Sequence, residues 1–409
     1  MRRRVGIVLI ALWLHGCGQA KSTQTQLRMW LVGSEAQART INELARPFTQ
    51  RTKIQVRCEA IAWGEAHSKY LTAVAGQVEP DLGAMGLTWG AEFGRLGALI
   101  DLRQAFAEEV AGIQRNTFPG LWASVEQGQQ VFGIPFDVTL QTLYYRRDLI
   151  PTPPQTWEEL TMLLQRLGAE NRRMIIDWGN LSWIGYAPFL WQAGGDFYNA
   201  QKTAAALNTP QAFQAMEFFR DLYTQHGVLK TMVPIEQGLQ TGEFPLVMSG
   251  NWKLVSLSVG VPDIAGRWTI APLPRGPAGK RTAFLGGRTL GIFNRSSHQA
   301  EAWQFIRYLF EPTVQAALYQ AGLKTQDAYL PPNMNSWEAL TLEPEMKTVL
   351  QQQARDAKGP PAVPGWTETT HVLESAIQRI VLQKADVKTE LGRVNEELNR
   401  QLAKSASRP

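Results

Sequence analysis

The feature that most restricts how this chain folds is an early alternation of short apolar runs with helix-period segments. Leu27 to Val32 reads as a buried strand, Glu35 to Gln50 as a helix with apolar Ile41, Leu44, Ala45 and Phe48, and Ile54 to Cys58 as a second strand. Glu65 to Ala75 reads as a second helix, and Pro80 to Met85 opens a third strand. In a β-α-β-α-β order each helix crosses from one parallel strand to the next, so the pattern predicts an α/β fold with helices on the faces of a parallel sheet.

Ahead of this alternation, Arg2, Arg3 and Arg4 precede a nearly uninterrupted apolar run from Val5 to Leu14. The run is roughly half the ~20 residues that a membrane-spanning helix needs, so it reads as an export signal and not as an anchor. Leu14-His15-Gly16-Cys17 resembles the lipobox of bacterial lipoproteins, with His15 where a small residue is usual. That resemblance implies a signal peptide over residues 1 to 16, acyl chains on Cys17, and a polar tether over residues 17 to 26. Of the 409 residues, 393 would remain, too many for one ordinary core and suited to two lobes. Loss of the three arginines lowers the formal net charge from +5 to +2, and no basic block of the nucleic-acid-binding kind occurs. No second apolar run is long enough to span a bilayer.

Residues that carry chemistry are sparse. The only cysteine besides Cys17 is Cys58, in an apolar-alternating context that predicts a small buried residue and no internal disulfide. The five histidines, His15, His67, His226, His298 and His371, lack metal-site spacing, so neither a metal nor a cofactor is expected. Glu108-Glu109 and Glu158-Glu159 lie on amphipathic helices, where adjacent side chains diverge and a solvated face is the plain role. A hidden pair of catalytic carboxylates stays open at this point, because such pairs meet only in the fold. Tyr144-Tyr145 lies in a strand, so the two rings face opposite sides and one is expected in the core. Fourteen tryptophans are well above common usage; an indole covers the C–H face of a sugar ring and its N–H bonds a hydroxyl, which suggests saccharide contact.

Further along, Val131 to Asp137 breaks β-rich residues with Gly133 and Pro135 and reads as a crossover between lobes, followed by a strand from Leu140 to Arg146. Thr156 with Glu159 three residues on has capping-box spacing for a helix running to Leu167. A helix from Pro210 to Thr224, strands at Pro245 to Ser249 and Thr289 to Phe293, and a helix from Gln299 to Phe310 follow. Val387, Leu391, Val394 and Leu398 share one face of a final helix.

From Leu27 almost to the C-terminus, five ordered segments resemble the extracellular solute-binding proteins of family 1, the sugar receptors of ABC importers. They are Gly133 to Asp148, Pro154 to Leu160 (Pro-x-Thr-Trp-x-Glu-Leu), Pro188 to Asp196 with its Gly-Gly, Met248-Ser-Gly-Asn-Trp252, and Gly286-Gly287-Arg288 with the helix around Trp303. Met85 to Phe93 is similar to the trehalose/maltose-binding branch, which usually has an aspartate where Gly86 stands and often a tryptophan where Arg288 stands. The resemblance implies a periplasmic binding protein-like fold of type II, two α/β lobes of parallel-type sheets flanked by helices and joined by hinge crossovers. Residues 27 to 135 with 287 to 335 would form lobe I, and residues 136 to 286 with 336 to 409 lobe II.

Carried over by position, Glu35 and Asp137 would accept from sugar hydroxyls, and Trp252 would stack beneath a ring. Gly286 and Gly287 would let backbone N–H groups approach, Arg288 would donate to a hydroxyl or an anionic group, and Trp366 would close the far wall. Trp63, Trp157 and Trp303 are assigned to packing. The implied function is capture of a disaccharide, short oligosaccharide or glucosyl-polyol and its delivery to an ABC permease. The implied protein is a monomer held by acyl chains at the outer face of the cytoplasmic membrane, with no nucleic-acid partner and no covalent chemistry. The alternative is an exported carbohydrate-active enzyme, a glycosidase or lyase.

Overall fold

The computed structural model describes residues 25–231, 233–363 and 365–406, so Cys17, the signal segment and most of the tether lie outside the described residues. The strand Gln26–Val32 pairs in parallel with Gln55–Ile61 on one side and Leu82–Gly86 on the other, as the alternating pattern predicts. Between the first two strands runs the helix Glu35–Thr52, started by a reciprocal cap: Ser34 Oγ accepts from the Gln37 N–H, and Gln37 Oε1 accepts from the Ser34 N–H. Its buried stripe is Ala38, Ile41, Ala45 and Phe48. Trp63–Gly76 is the second crossover helix. The sheet is completed by Arg288–Ile292, antiparallel to Leu82–Gly86, and by the short strand Ile134–Pro135.

A second sheet is built around Thr139–Arg146, all eight residues of which are buried. Leu246–Gly250 and Trp268–Ala271 pair with it antiparallel, as does Ala283–Gly286, while Met174–Ile176 adds in parallel to Leu246–Gly250 and Ala357–Lys358 to Ala283–Gly286. Both sheets are therefore mixed rather than parallel throughout, because strands returning from the other sheet enter in the opposite direction. Tyr144 and Tyr145 are both buried, not one of them, since elements cover both faces of their strand. Cys58 is buried too, and burial pushes its thiol up to about 12.

The helix Trp157–Ala169 starts at Thr156, whose hydroxyl accepts from the Glu159 N–H; the Glu159 carboxylate bonds the Gln155 N–H, one residue before the cap. Pro210–Thr224 has Thr209 as cap and proline in its first turn. At the C-terminal end Val387, Leu391, Val394 and Leu398 of the helix Val387–Ala406 are buried. Glu390 ties that helix to Arg379 of the helix Trp366–Gln383 at 2.7 Å. Among the described residues no helix is long and apolar enough to cross a membrane.

Candidate functional site

The chain passes between the two sheets along paired segments. Ile134–Pro135 belongs to the first sheet and Thr139–Arg146 to the second; returning, Ala283–Gly286 belongs to the second and Arg288–Ile292 to the first. Asp137 and Gly287 therefore sit side by side in the two crossings. Gly287 has φ +141, and a Cβ there would run into the Asp137 carbonyl, so only glycine lets the segments lie this close. A third connection is the bridge between Val138 and Leu330, 2.8 Å from N–H to carbonyl oxygen.

Beside these crossings opens a cleft of about 410 Å³, within the usual range for small-molecule sites. Among the described residues five tryptophans line it, and four of them follow the carboxyl end of a strand by two or three residues: Trp63 after Gln55–Ile61, Trp89 after Leu82–Gly86, Trp178 after Met174–Ile176, and Trp252 after Leu246–Gly250. Ligands of α/β sheets bind outside the carboxyl ends of strands, where helix starts and loops converge. Trp63 and Trp89 form an edge-on pair with centroids 6.0 Å apart beside the first sheet, and Trp178 and Trp252 a second pair at 5.1 Å beside the other.

The supports of these rings are specific. Gln141 Nε2 donates to the Trp178 carbonyl at 3.0 Å, and Ser249 Oγ donates to the preceding Asp177 at 2.6 Å. His67 and Glu92, 2.9 Å apart, join the two helices that carry Trp63 and Trp89. The ring of Trp89 occupies the space next to Gly86; a Cβ there would come within 2.9 Å of the indole. That explains why glycine stands where an aspartate is usual in the branch the sequence resembles.

Asp137 also lines the cleft and is 5% exposed. Its Oδ1 accepts from the Arg288 N–H at 3.0 Å and its Oδ2 from Arg288 Nε at 2.6 Å, with Nη2 on the same oxygen. Arg288 Nη1 donates to the Val32 carbonyl at 2.7 Å and to Gln37 Oε1 at 2.8 Å. Tyr329 and Phe136 cover the guanidinium at 4.8 and 5.3 Å from their ring centres. Burial raises the Asp137 carboxyl from its ordinary range, and the guanidinium opposes that rise. Burial works to lower the Arg288 guanidinium, but the carboxylate more than offsets it and holds it above its ordinary value. The pairing is bidentate, and carboxylate and guanidinium balance each other's charge.

The cleft thus gathers Asp137, Trp252, Gly286 and Gly287 from the residues singled out in the sequence. Arg288 stands behind Asp137 and lines a separate cavity of about 50 Å³ on the far side. Trp366 is buried away from the cleft, edge-on to Trp183 at 5.0 Å, and Trp183 forms the wall there. Glu35 is exposed in the first turn of its helix, outside the cleft lining, where its charge complements the helix N-terminus. Trp157 and Trp303 pack as expected, stacked on Phe218 and Phe106. Trp63 does not: it is 48% exposed and faces the cleft, because a first-turn residue at a strand's carboxyl end projects over the sheet edge rather than into the core. Trp89, Trp178, Trp183, Thr139 and Tyr329 also line the cleft; Trp89 and Thr139 lie within segments that carried the resemblance but were not singled out there, and the other three lie outside them. The signal that finds Trp63, Trp89, Trp178 and Trp252 is their common offset from strand ends, which Trp183 does not share.

Two sheets joined by crossings, with an aromatic cleft where they meet, define a two-lobed α/β binding protein. The description "Bacterial extracellular solute-binding protein" fits residues 43–348 as a family match. The chain belongs to that family, whose members bind solutes, and it is a binding protein and not an enzyme. A binding protein of Brucella abortus is 24% identical over 357 residues, 81% of this chain and 82% of the other. An ABC transporter-binding protein of Deinococcus radiodurans is 26% identical over 280 residues, 63% of this chain and 64% of its own length. Among solved structures, the sugar-binding protein MalE from Xanthomonas citri superposes with TM-score 0.83 at 24% identity, covering 93% of this chain and 98% of that one. The GacH receptor of Streptomyces glaucescens, solved unliganded and with acarbose, gives TM-score 0.78 at 18% identity, with 93% and 99% covered. The fold is shared with these sugar-binding structures.

Proposed function

We propose that this protein captures a sugar, a disaccharide, short oligosaccharide or glucosyl-polyol, between its two lobes and delivers it to an ABC permease. The observation that carries this reading is the convergence of Trp63, Trp89, Trp178 and Trp252 on one cleft, two from each sheet. Indole faces match the C–H faces of pyranose rings, and Asp137 and Thr139 supply polar groups at the same place. The neighbours named for sugar binding and the relative named for an ABC transporter point the same way.

Residues 27 to 135 with 287 to 335 form one lobe, and residues 136 to 286 with 336 to 409 the other, hinged at Asp137 and Gly287. Ligand favours the closed arrangement because only there do tryptophans of both lobes touch it. Asp137, Trp252, Gly286 and Gly287 contact the sugar; Arg288 acts through Asp137 and Trp366 through Trp183. The protein works as a monomer, held near its permease by acyl chains on Cys17.

A thermal-shift panel of disaccharides, oligosaccharides, polyols, peptides and metal salts tests the ligand class. A ligand at ~100 times its Kd stabilises by about 2.7 kcal/mol, a readable shift. Sugars raising the melting temperature support the reading; peptides or metals doing so while no sugar or polyol does would refute it. Membrane fractionation of Cys17→Ala tests the anchor: release into the soluble fraction is expected, and retention on the membrane would remove the anchor.

A further inference from the structure

Among the described residues the cleft has one charged side chain in its lining, Asp137, and the charge that balances it lies on the other side. Every guanidinium nitrogen of Arg288 is engaged: Nε and Nη2 on Asp137, Nη1 on the Val32 carbonyl and Gln37. The Arg288 side chain is 4% exposed, and its two faces are covered by aromatic rings. Nothing in this arrangement offers a cation to a molecule in the cleft.

Building on the sugar reading of this site, we propose that the cleft takes uncharged saccharides and rejects those bearing a carboxylate, a phosphate or an ammonium group. A uronate or sugar phosphate entering the cleft gives up its hydration, meets tryptophan walls, and has as its nearest charge the Asp137 carboxylate. An amino sugar loses its hydration as well and finds that carboxylate already neutralised by a bidentate partner. An isolated ion moved into such surroundings is strongly disfavoured unless it is paired. A hydroxyl fares differently. It donates to a free lone pair of Asp137 without disturbing the Arg288 pair, and the ring it belongs to is covered by indole. The buried ion pair therefore presents an oriented acceptor to the cleft while contributing almost no net charge. An arginine read from sequence alone as a donor to a hydroxyl or an anionic group is, in this position, a partner of Asp137 instead.

Isothermal titration of the mature protein with matched probes decides the matter: maltose, trehalose and cellobiose against maltobionate, trehalose 6-phosphate and the glucosamine disaccharide. Binding of at least one neutral probe, with every charged probe at least a hundredfold weaker than the neutral disaccharides that bind, is the expected result. A charged probe binding within tenfold of its neutral counterpart, or tighter, overturns the proposal and leaves the sugar reading standing. Failure of every one of these probes, together with every sugar and polyol of the thermal-shift panel, overturns the sugar reading itself.

Discussion

Arg288 grips Asp137 from behind the cleft, with Nε 2.6 Å from Oδ2 and the backbone N–H 3.0 Å from Oδ1, so one residue of each crossing segment is locked to the other. The lock joins the strand entering the first sheet at Arg288 to the segment leaving it at Asp137. It also extends into the first lobe's leading helix through Gln37.

Arg288→Met leaves a buried carboxylate without its partner, a change that costs about 3–5 kcal/mol. Burial already pushes the Asp137 carboxyl upward, and the variant removes the guanidinium that opposes it, leaving only the backbone N–H of residue 288. A carboxyl whose folded pKa exceeds its unfolded value of about 3.9 contributes its full stability below that value and loses it as pH rises through the folded pKa. Urea unfolding across about pH 4 to 8 should show the variant nearest to wild type in acid and weakest at neutral pH. A deficit that does not vary with pH would assign the loss to hydrogen bonds instead of charge.

Trp63→Ala and Trp252→Ala separate binding from folding. Trp63 is half-exposed, and Trp252 stands at a helix start beside the cleft. Each substitution should weaken sugar affinity by about tenfold or more, equivalent to about 1.4 kcal/mol. For Trp63→Ala the unliganded melting temperature should hardly move. Unchanged titration curves for both variants would remove stacking from the site.

Trp366→Ala should behave in the reverse way. Its ring is packed among Trp183, Phe197 and Tyr198, and truncation leaves a cavity worth about 3–5 kcal/mol. Chemical denaturation should show that loss, while affinity measured well below the melting point falls far less than for Trp252→Ala. A variant of normal stability that fails to bind would place Trp366 in direct contact with ligand.

Gly287→Ala forces a Cβ toward the Asp137 carbonyl at φ +141. Strain of this kind costs about 1–3 kcal/mol, and relief requires the two crossings to part. Lower stability together with altered closure, seen as a changed ligand-induced difference in small-angle scattering, is expected. Wild-type behaviour in both would show that the crossing tolerates a side chain.

Glu390 supplies an acid-sensitive tie. Hydrogen bonds from Arg379 hold its carboxyl below the ordinary range, with Arg393 adding to the effect. Its contribution is full above the unfolded pKa of about 4.3 and disappears as pH falls through the lower folded value. Glu390→Gln should therefore lose stability at neutral pH and converge with wild type in strong acid. Parallel stability curves for the two proteins would show that the ion pairs add nothing.

What was legible in the sequence is what local pattern dictates. Apolar periodicity placed the first three strands and two crossover helices, the Thr156 cap placed a helix start, and Pro210 to Thr224 marked a helix that the structure has with the same ends. Five ordered segments, one of them around Thr156, carried the resemblance that the family match supports. Tertiary structure decided the rest. Which sheet a strand joins depends on partners far along the chain, as when Gly286 and Arg288, two residues apart, enter different sheets. Exposure separated Trp63 from Trp157 and Trp303, which no helical context distinguishes. Above all, the sequence put Asp137 and Arg288 among the site residues, while only packing determined that the arginine stands behind the carboxylate. The physical reason is that a side chain's charge is a property of its type, whereas the charge a ligand meets depends on what has already paired with it.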